Sequence, residues 1–297
     1  MMMRIDAHQH FWRLADRAGQ WPPAELVAIH RDFLPADLAV SLRDAQVDGT
    51  VLVQSLPSED DTRFLLALAD AHPFVRGVVG WTDLKAPDAV QRIEALARHP
   101  RLRGLRPMLQ DLPDDDWIAD PALAPAIDAM CRLGLVFDAL VQPRHLRFLH
   151  AFARRFPALA IVIDHAAKPF IARGELQPWR DDMAALAALP NVACKLSGLL
   201  TEAGADTHAE ALRPYVQAAW DLFGPSRLLW GSDWPVLRLA ADYDGWLAMS
   251  EHLLATLREP ADARARAAIF GGNAMRLYRL APPAPVATGR PPASLID

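Results

Sequence analysis

Short apolar runs alternate with longer amphipathic segments along most of this chain. Eight of the runs are rich in leucine and β-branched residues, which is typical of strands buried on both faces of a parallel sheet. We predict strands at 4–10, 49–55, 74–82, 102–107, 135–141, 159–165, 192–198 and 227–233.

The segments between these runs have the apolar period of amphipathic helices, and most end at a proline or glycine, a common stop signal. Helices are predicted at 35–47, 60–71, 87–97, 121–133, 143–156, 179–189 and 212–223, with two more at about 243–257 and 260–279. This alternation predicts an α/β fold, a closed (β/α)8 TIM barrel with extra C-terminal helices. A doubly wound open sheet is the alternative, but it usually has fewer strands and a glycine-rich phosphate loop, and the sequence contains neither G-x-G-x-x-G nor G-x-x-x-x-G-K-S/T.

We predict one barrel domain over residues 1–280 and a tail rich in proline and alanine over 281–297. The tail is interpreted as an extended arm or as disorder. Segment 11–34 is long for a connection between a strand and a helix, and it holds Trp12, Trp21 and Phe33. Long loops at the carboxyl ends of strands usually shape an active site.

Composition and charge exclude several classes of partner. The chain has 297 residues, 52% of them hydrophobic, and a net charge of -5, so neither nucleic acid nor a membrane is expected to bind. It lacks a signal-peptide pattern, and no apolar run reaches the roughly 18 residues that span a bilayer. Cys131 and Cys194 lie in apolar surroundings, so we expect no disulfide framework and a cytoplasmic location.

The first predicted strand ends in His-x-His. Residues at i and i+2 of a strand point the same way, so His8 and His10 are expected to aim at one point. Asp6 would share that side and accept an imidazole N–H. Two converging imidazoles suit metal ligation, or proton transfer and oxyanion stabilisation. Two unrelated histidines would give the same pattern, so the other strand ends decide.

Polar side chains also lie at the ends of nearly all of the remaining predicted strands. In a barrel these strand ends share one mouth, and a purely structural barrel does not need them, which favours an enzyme over a non-catalytic binding protein. Strand alternation places Asp164 on the face opposite His165, which favours a structural role for Asp164. Besides the two histidines, the mouth is predicted to hold Gln54, Trp81, Asp83, Arg106, Asp138, Gln142, Asp164, His165, Lys195, Ser197, Ser232, Asp233 and Trp234.

Five motifs then carry a resemblance: IDAHQHFW at 5–12, GLRPMLQ at 104–110, DHAAKP at 164–169, KLSGL at 195–199 and GSDWPV at 231–236. Over roughly residues 4–280 the chain resembles the amidohydrolase superfamily, and within it the amidohydrolase 2 group, which includes sugar-lactone hydrolases and pyrone-dicarboxylate lactonase. The pattern is most similar to L-fuconolactone hydrolases, with L-rhamnonolactone hydrolases as near relatives.

The resemblance implies hydrolysis of a sugar lactone, L-fucono-1,4- or 1,5-lactone or a close aldonolactone, to the sugar acid. In the mechanism that we expect, Asp233 is the general base for the attacking water. The imidazoles of His8, His10 and His165 polarise the carbonyl. Substrate contacts are expected from Arg106, Lys195, Gln54, Gln110, Trp12, Trp81 and Trp117.

The resemblance also bears on whether the site holds a metal ion. Two-metal relatives carry a bridging lysine or glutamate on the fourth strand, where this chain has Arg106, so a binuclear centre is not expected. His8, His10, His165 and Asp233 can hold a single zinc or manganese ion. Lactone-cleaving relatives can work without a metal, so no cofactor is expected to be required. A metal-dependent decarboxylase and a non-catalytic sugar-acid binding barrel stay open as alternatives, as does the oligomeric state.

Overall fold

The chain forms a barrel of eight parallel strands that neighbour one another in sequence order. A computed structural model describes residues 3–281. All eight predicted strands are confirmed, each shorter than its apolar run, and the TIM barrel is confirmed over the open sheet. The strands are β1 Ile5–Gln9, β2 Gly49–Val53, β3 Val75–Gly80, β4 Leu102–Leu105, β5 Val136–Ala139, β6 Ile161–Ile163, β7 Val192–Leu196 and β8 Leu228–Trp230.

The barrel closes between β1 and the segment that follows β8. The backbone N–H of His10 donates to the carbonyl of Trp234 at 2.7 Å, and the N–H of Asp233 donates to the carbonyl of His8 at 2.8 Å. Closure therefore brings the two predicted histidines, His8 on β1 and His10 directly after it, beside the predicted carboxylate of the last strand end.

Helices surround the barrel, and the predicted ones between the strands are confirmed, most with shorter bounds and two, at 60–71 and 212–223, with earlier starts. The one-turn helix α7 was not predicted. The helices are α1 Pro35–Asp44, α2 Glu59–Ala71, α3 Ala89–Ala97, α4 Ala124–Leu133, α5 Leu146–Arg155, α6 Trp179–Ala187, α7 Leu199–Glu202, α8 Ala209–Phe223, α9 Tyr243–Ala255, α10 Ala263–Ala267 and α11 Asn273–Leu277.

The predicted helix at 260–279 is divided. A π-helical stretch, Ala268–Gly272, separates α10 from α11. At Gly271 the backbone approaches the start of β1 so closely that a Cβ would overlap the Met3 carbonyl oxygen. Tight packing against the first strand thus accompanies the break in a sequence whose period favours one continuous helix.

Local signals explain several helix ends. The Ser58 hydroxyl accepts the backbone N–H groups of Asp60 and Asp61 at 3.1 and 3.4 Å and so caps α2. Gly134, with a φ of +66°, ends α4 in the left-handed conformation that favours glycine. Of the helices within residues 3–281, none combines the length and hydropathy needed to cross a membrane.

Two apolar layers hold the barrel. The outer layer lies between the strands and the helices. The inner layer fills the barrel with small residues such as Ala7, Val51 and Val162, and Tyr278 and Leu280 pack onto it from beyond α11. The C-terminal segment thus covers the end of the barrel opposite the strand ends that carry the polar groups. The predicted tail lies outside the described residues except for Ala281, so the domain division stays a prediction.

Candidate active site

An extra residue in β1 places the two histidines of His-x-His. Relative to β2, β1 gains one residue between Asp6 and Gln9. This bulge interrupts the strand alternation, so His8 enters the site although its neighbour Ala7 also packs in the barrel interior.

Asp6 precedes the bulge and faces away from the barrel interior, between the inward-facing Ile5 and Ala7. Its predicted role as a hydrogen-bond acceptor for the imidazoles is therefore wrong. Its carboxylate accepts the Ser232 hydroxyl at 2.6 Å, the Tyr243 hydroxyl at 3.0 Å and two backbone N–H groups. Burial raises the pKa of Asp6 to about 6, against the effect of these hydrogen bonds. Asp6 therefore joins β1 to the segment after β8.

A left-handed turn after β6 supplies the third histidine. His165, Ala166, Ala167 and Lys168 have φ values of +53°, +48°, +61° and +50°. Such a conformation costs roughly 1–2 kcal/mol per non-glycine residue, and strain of this kind concentrates at functional sites. The turn carries the imidazole of His165 into the site.

Asp164 reaches the same site by ordinary strand alternation, because Val162, two residues earlier, also points into the barrel. Its Oδ1 lies 3.3 Å from His8 Nδ1, and its Oδ2 accepts Arg106 Nη1 at 3.2 Å. The prediction that Asp164 faces away from the site is therefore wrong, because the turn ends the alternation at His165.

Four predicted groups converge at the mouth of the barrel. Asp233 Oδ1 lies 3.2 Å from His10 Nε2, 3.6 Å from His8 Nε2 and 3.9 Å from His165 Nε2. The Nε2 atoms of His8 and His10 are 3.2 Å apart. All four residues are buried. We call His8, His10, His165 and Asp233 the histidine–aspartate cluster.

The Nδ1 atom of each imidazole faces away from the cluster centre and has its own partner. His10 Nδ1 lies 2.7 Å from the Val53 carbonyl, and His165 Nδ1 lies 2.9 Å from the Ser197 hydroxyl. Because a carbonyl only accepts hydrogen bonds, His10 carries its proton on Nδ1. In the neutral ring its Nε2 therefore presents a lone pair to the centre.

The electrostatics of the cluster favour a carboxylate among neutral imidazoles. Burial lowers the pKa of His165 to about 4 and that of His8 well below its usual value. Burial alone would raise the pKa of Asp233, but His165, His10 and His8, in their protonated forms, hold that pKa well below its usual range. At neutral pH Asp233 is therefore ionised, while His8 and His165 are neutral.

A buried network supports the cluster from below. Lys195 Nζ lies 2.5 Å from Asp138 Oδ2, 2.9 Å from Asp164 Oδ1 and 3.3 Å from His8 Nδ1. Burial would lower the pKa of Lys195, but the two carboxylates outweigh burial and raise it. Lys195 is fully buried, so the structure places it beneath His8 and not at the predicted substrate contact.

Arg106 and Gln54 hold each other across the mouth. Arg106 Nη2 donates to the Gln54 carbonyl, and Gln54 Nε2 donates to the Arg106 carbonyl at 2.7 Å. Gln54 is fully buried, so it positions Arg106 where a substrate contact was expected. Arg106 Nη1 lies 3.4 Å from His8 Nε2.

A cavity of about 330 Å³, the inner cavity, opens onto the histidine–aspartate cluster. Of the predicted site residues, His10, Arg106, Gln110, His165 and Asp233 line it. The prediction missed further lining residues, which include Trp21, Ser55, Met108, Asp111, Leu140 and Lys168.

Residues 5–280 match the family described as Amidohydrolase. The chain belongs to the amidohydrolase family. It is 59% identical over 283 residues to an L-fucono-1,5-lactonase of Burkholderia ambifaria, with 94% of this chain and 97% of that protein covered. A second L-fucono-1,5-lactonase, from Burkholderia multivorans, is 40% identical over 293 residues, with coverages of 95% and 98%.

A solved amidohydrolase is also similar in structure. The crystal structure of an amidohydrolase from Burkholderia multivorans with bound zinc has a TM-score of 0.87 and 39% identity, covering 94% of this chain and 100% of that one. The predicted resemblance to amidohydrolases and to L-fuconolactone hydrolases is confirmed, and so is the class of hydrolase.

The cluster of this amidohydrolase fits a single divalent metal ion. Zinc bonds of about 2.0–2.1 Å in a tetrahedron place ligand atoms roughly 3.3 Å apart, close to the separations within the cluster. His8, His165 and Asp233 each offer a ligand atom within 4.8 Å of the others, and His10 lies beside them. Carbonyl, hydroxyl and carboxylate partners on the Nδ1 atoms orient imidazoles in the way that metal sites require.

The three tryptophans that were predicted to contact the substrate do not line the inner cavity of this amidohydrolase. Trp12 is fully buried, packs edge-on against Phe33 and donates from Nε1 to the Arg31 carbonyl at 2.8 Å. Trp81 and Trp117 line a neighbouring cavity of about 470 Å³, the outer cavity. The motif DHAAKP contains Lys168, so the sequence could have suggested a cation at the mouth of the barrel. Only the left-handed turn brings Lys168 beside His165.

Proposed function

We propose that this amidohydrolase hydrolyses a sugar lactone to the sugar acid, with L-fucono-1,5-lactone, its 1,4 isomer or a close aldonolactone as substrate. The 59% identity to an L-fucono-1,5-lactonase, over nearly the full length of both chains, carries the proposal. The inner cavity supports it, because a charged arginine, an amide and carboxylates suit a neutral ring with several hydroxyl groups.

In this proposal Asp233 accepts the proton of the attacking water and returns it to the ring oxygen that leaves. Asp233 lines the inner cavity and is ionised at neutral pH. A carboxylate with a low pKa is a weak base, so neighbouring groups have to activate the water at the same moment. A lactone is an activated ester, which reduces the electrophilic help that the carbonyl needs.

Carbonyl polarisation falls mainly to Arg106 and His165, which line the inner cavity together. Arg106 brings a planar guanidinium with several N–H donors and lies beside His8 Nε2. The sequence suggested that all three imidazoles polarise the carbonyl. His10 differs, because its Nδ1 faces the Val53 carbonyl and its neutral ring has no proton left on Nε2 to donate.

The same cluster would hold a metal ion through His8, His10, His165 and Asp233. When bound, a divalent ion supplies a Lewis acid for a carbonyl oxygen and lowers the pKa of water. The sequence led us to expect no required cofactor, and chelation distinguishes a metal-independent enzyme from a metal-dependent one.

The test is proton release from L-fucono-, L-galactono-, D-arabinono- and L-rhamnono-lactones, by the enzyme as purified and after chelation. We expect the highest kcat/KM for L-fuconolactone, and the 1,4 and 1,5 forms are assayed separately. Turnover that survives chelation supports a metal-independent lactonase, and turnover restored by zinc or manganese assigns the cluster as ligands. No turnover of any lactone would overturn the proposal.

Asp233→Asn tests the general base. We expect kcat to fall by roughly 10²–10⁴ because the amide cannot accept the proton. The exposed carboxylate of Asp206, on a loop between α7 and α8, gives the matched control Asp206→Asn, which should keep its activity. Near-full kcat in Asp233→Asn, with an unchanged circular dichroism spectrum, would rule out this assignment.

A further inference from the structure

The outer cavity is larger than the inner cavity and adjoins it. Their volumes are about 470 and 330 Å³, and they share Trp21, Ser55, Met108 and Asp111 as lining residues. Small-molecule sites range from about 300 to 1,000 Å³. The inner cavity alone therefore reaches the size of a site for one small ring, and the outer cavity leaves room for a second.

The outer cavity combines aromatic faces with hydrogen-bond acceptors. Trp81 and Trp117 line it, and Trp21 stands at the boundary with the inner cavity, 37% exposed. Asp83 and Asp111 add carboxylates to its wall. Indole faces pack against the apolar faces of sugar rings, while carboxylates accept hydrogen bonds from hydroxyl groups and repel anions.

One indole is held in place by charge. Lys85 Nζ lies 4.5 Å from the centre of the Trp117 ring and 2.7 Å from Asp120 Oδ2. A cation over an aromatic face is attracted by the ring, and a carboxylate fixes the position of that cation. Trp117 is therefore a restrained surface, which lowers the entropy cost of stacking a ligand on it.

We propose that the outer cavity is a second sugar subsite. It binds a neutral glycosyl ring attached through a hydroxyl of the lactone remote from the carbonyl, so the enzyme hydrolyses glycosylated aldonolactones as well as free ones. Water adds to the carbonyl carbon, the ring acyl–oxygen bond breaks, the ring oxygen takes a proton and the glycosidic bond stays intact. The inference rests on the proposed function.

The test compares L-fucono-1,5-lactone with a disaccharide aldonolactone made by oxidising the reducing end of a glycosyl-L-fucose. We expect wild-type enzyme to hydrolyse both. In Trp117→Ala and in Trp81→Ala the ratio of kcat/KM for the disaccharide lactone to that for the free lactone should fall about tenfold. Trp220→Ala is the matched control, because Trp220 lies on α8 outside the lining of both cavities, and its ratio should match the wild type.

A binding measurement separates this inference from the proposed function. Titration calorimetry with the disaccharide aldonic acid, the product, should show weaker binding to Trp117→Ala than to Trp220→Ala even if turnover is absent. The second subsite would be overturned if the enzyme hydrolysed only the free lactone. It would also be overturned if all variants had equal kcat/KM ratios for the two lactones and equal affinities for the product. Failure to hydrolyse either lactone would overturn the proposed function, and the calorimetry would still decide the subsite.

Discussion

At the scale of single residues, the position of His165 depends on a neighbouring glycine, Gly198, which has no Cβ. Gly198, with a φ of +61°, lies against the imidazole, and a Cβ on it would come within 2.5 Å of His165 Nδ1 and 2.8 Å of His165 Cγ. Real Cβ atoms do not approach other atoms so closely. The glycine after β7 therefore sets the space for the ring that the turn after β6 delivers.

Gly198→Ala should displace His165 from the cluster. We expect kcat/KM to fall by about 100-fold, the effect of a misplacement of about 1 Å in an active site. The control is Gly174→Ala, because Gly174 has nearly the same φ, +65°, but no atom within 4 Å of the point that a Cβ would occupy. Equal activity of the two variants would contradict this prediction, because it would mean that the imidazole accommodates the added Cβ without loss of function.

At the scale of elements, the sequence predicts periodic structure well and local departures poorly. Burial on both faces makes a parallel strand an apolar run, which is why all eight strands were predicted. The bulge before His8 and the left-handed turn from His165 to Lys168 carry no such signal, since the turn contains alanines and a lysine and no glycine. Motifs therefore identified the cluster, while the roles of Asp6 and Asp164 were misjudged.

The segment after α11 shows the same limit, because its role depends on a contact between distant residues. The Tyr278 hydroxyl donates to the Asp138 carboxylate at 2.9 Å, and Asp138 in turn binds Lys195. Burial raises the pKa of Asp138 to about 6, while Lys195 and the Tyr278 hydroxyl act in the opposite direction. The hydroxyl thus stabilises the ionised form of Asp138 more than the neutral form.

Tyr278→Phe should lower the free energy of unfolding by about 1–3 kcal/mol, because a buried carboxylate loses a donor. Removing the hydroxyl raises the pKa of Asp138 further, so the loss should be greater at pH 8, above about 6, than at pH 5. Urea unfolding at both pH values measures this loss in the free energy of unfolding. Tyr215→Phe is the control, since the buried Tyr215 hydroxyl lacks a partner within residues 3–281. An equal loss at both pH values would contradict the proposed charge dependence.

At the scale of the whole molecule, the barrel protects one of its two thiols much better than the other. Cys194 lies on β7 and is fully buried, whereas Cys131 lies on α4 and is half-buried. Burial raises the pKa of both thiols, that of Cys194 far more. A central strand opens only when the barrel unfolds, while a helix end opens by local fluctuation.

Labelling with a thiol reagent checks this difference. In Cys131→Ser the reaction of Cys194 should report the same free energy as global unfolding in denaturant, because both need the barrel to open. In Cys194→Ser the reaction of Cys131 should report a smaller free energy. Rapid labelling of Cys194 under native conditions would mean that β7 opens independently of the rest of the barrel.

The bonds that close the barrel are made by the active-site segments themselves. His8 lies on β1 and His10 directly follows that strand, and their backbone partners, Asp233 and Trp234, follow β8. During translation one edge of β1 therefore stays unpaired until the segment after β8 has been synthesised. An unpaired strand edge exposes a chain to aggregation. Because the same backbone segments close the barrel and carry His8, His10 and Asp233, we expect the histidine–aspartate cluster to form only when that edge is paired.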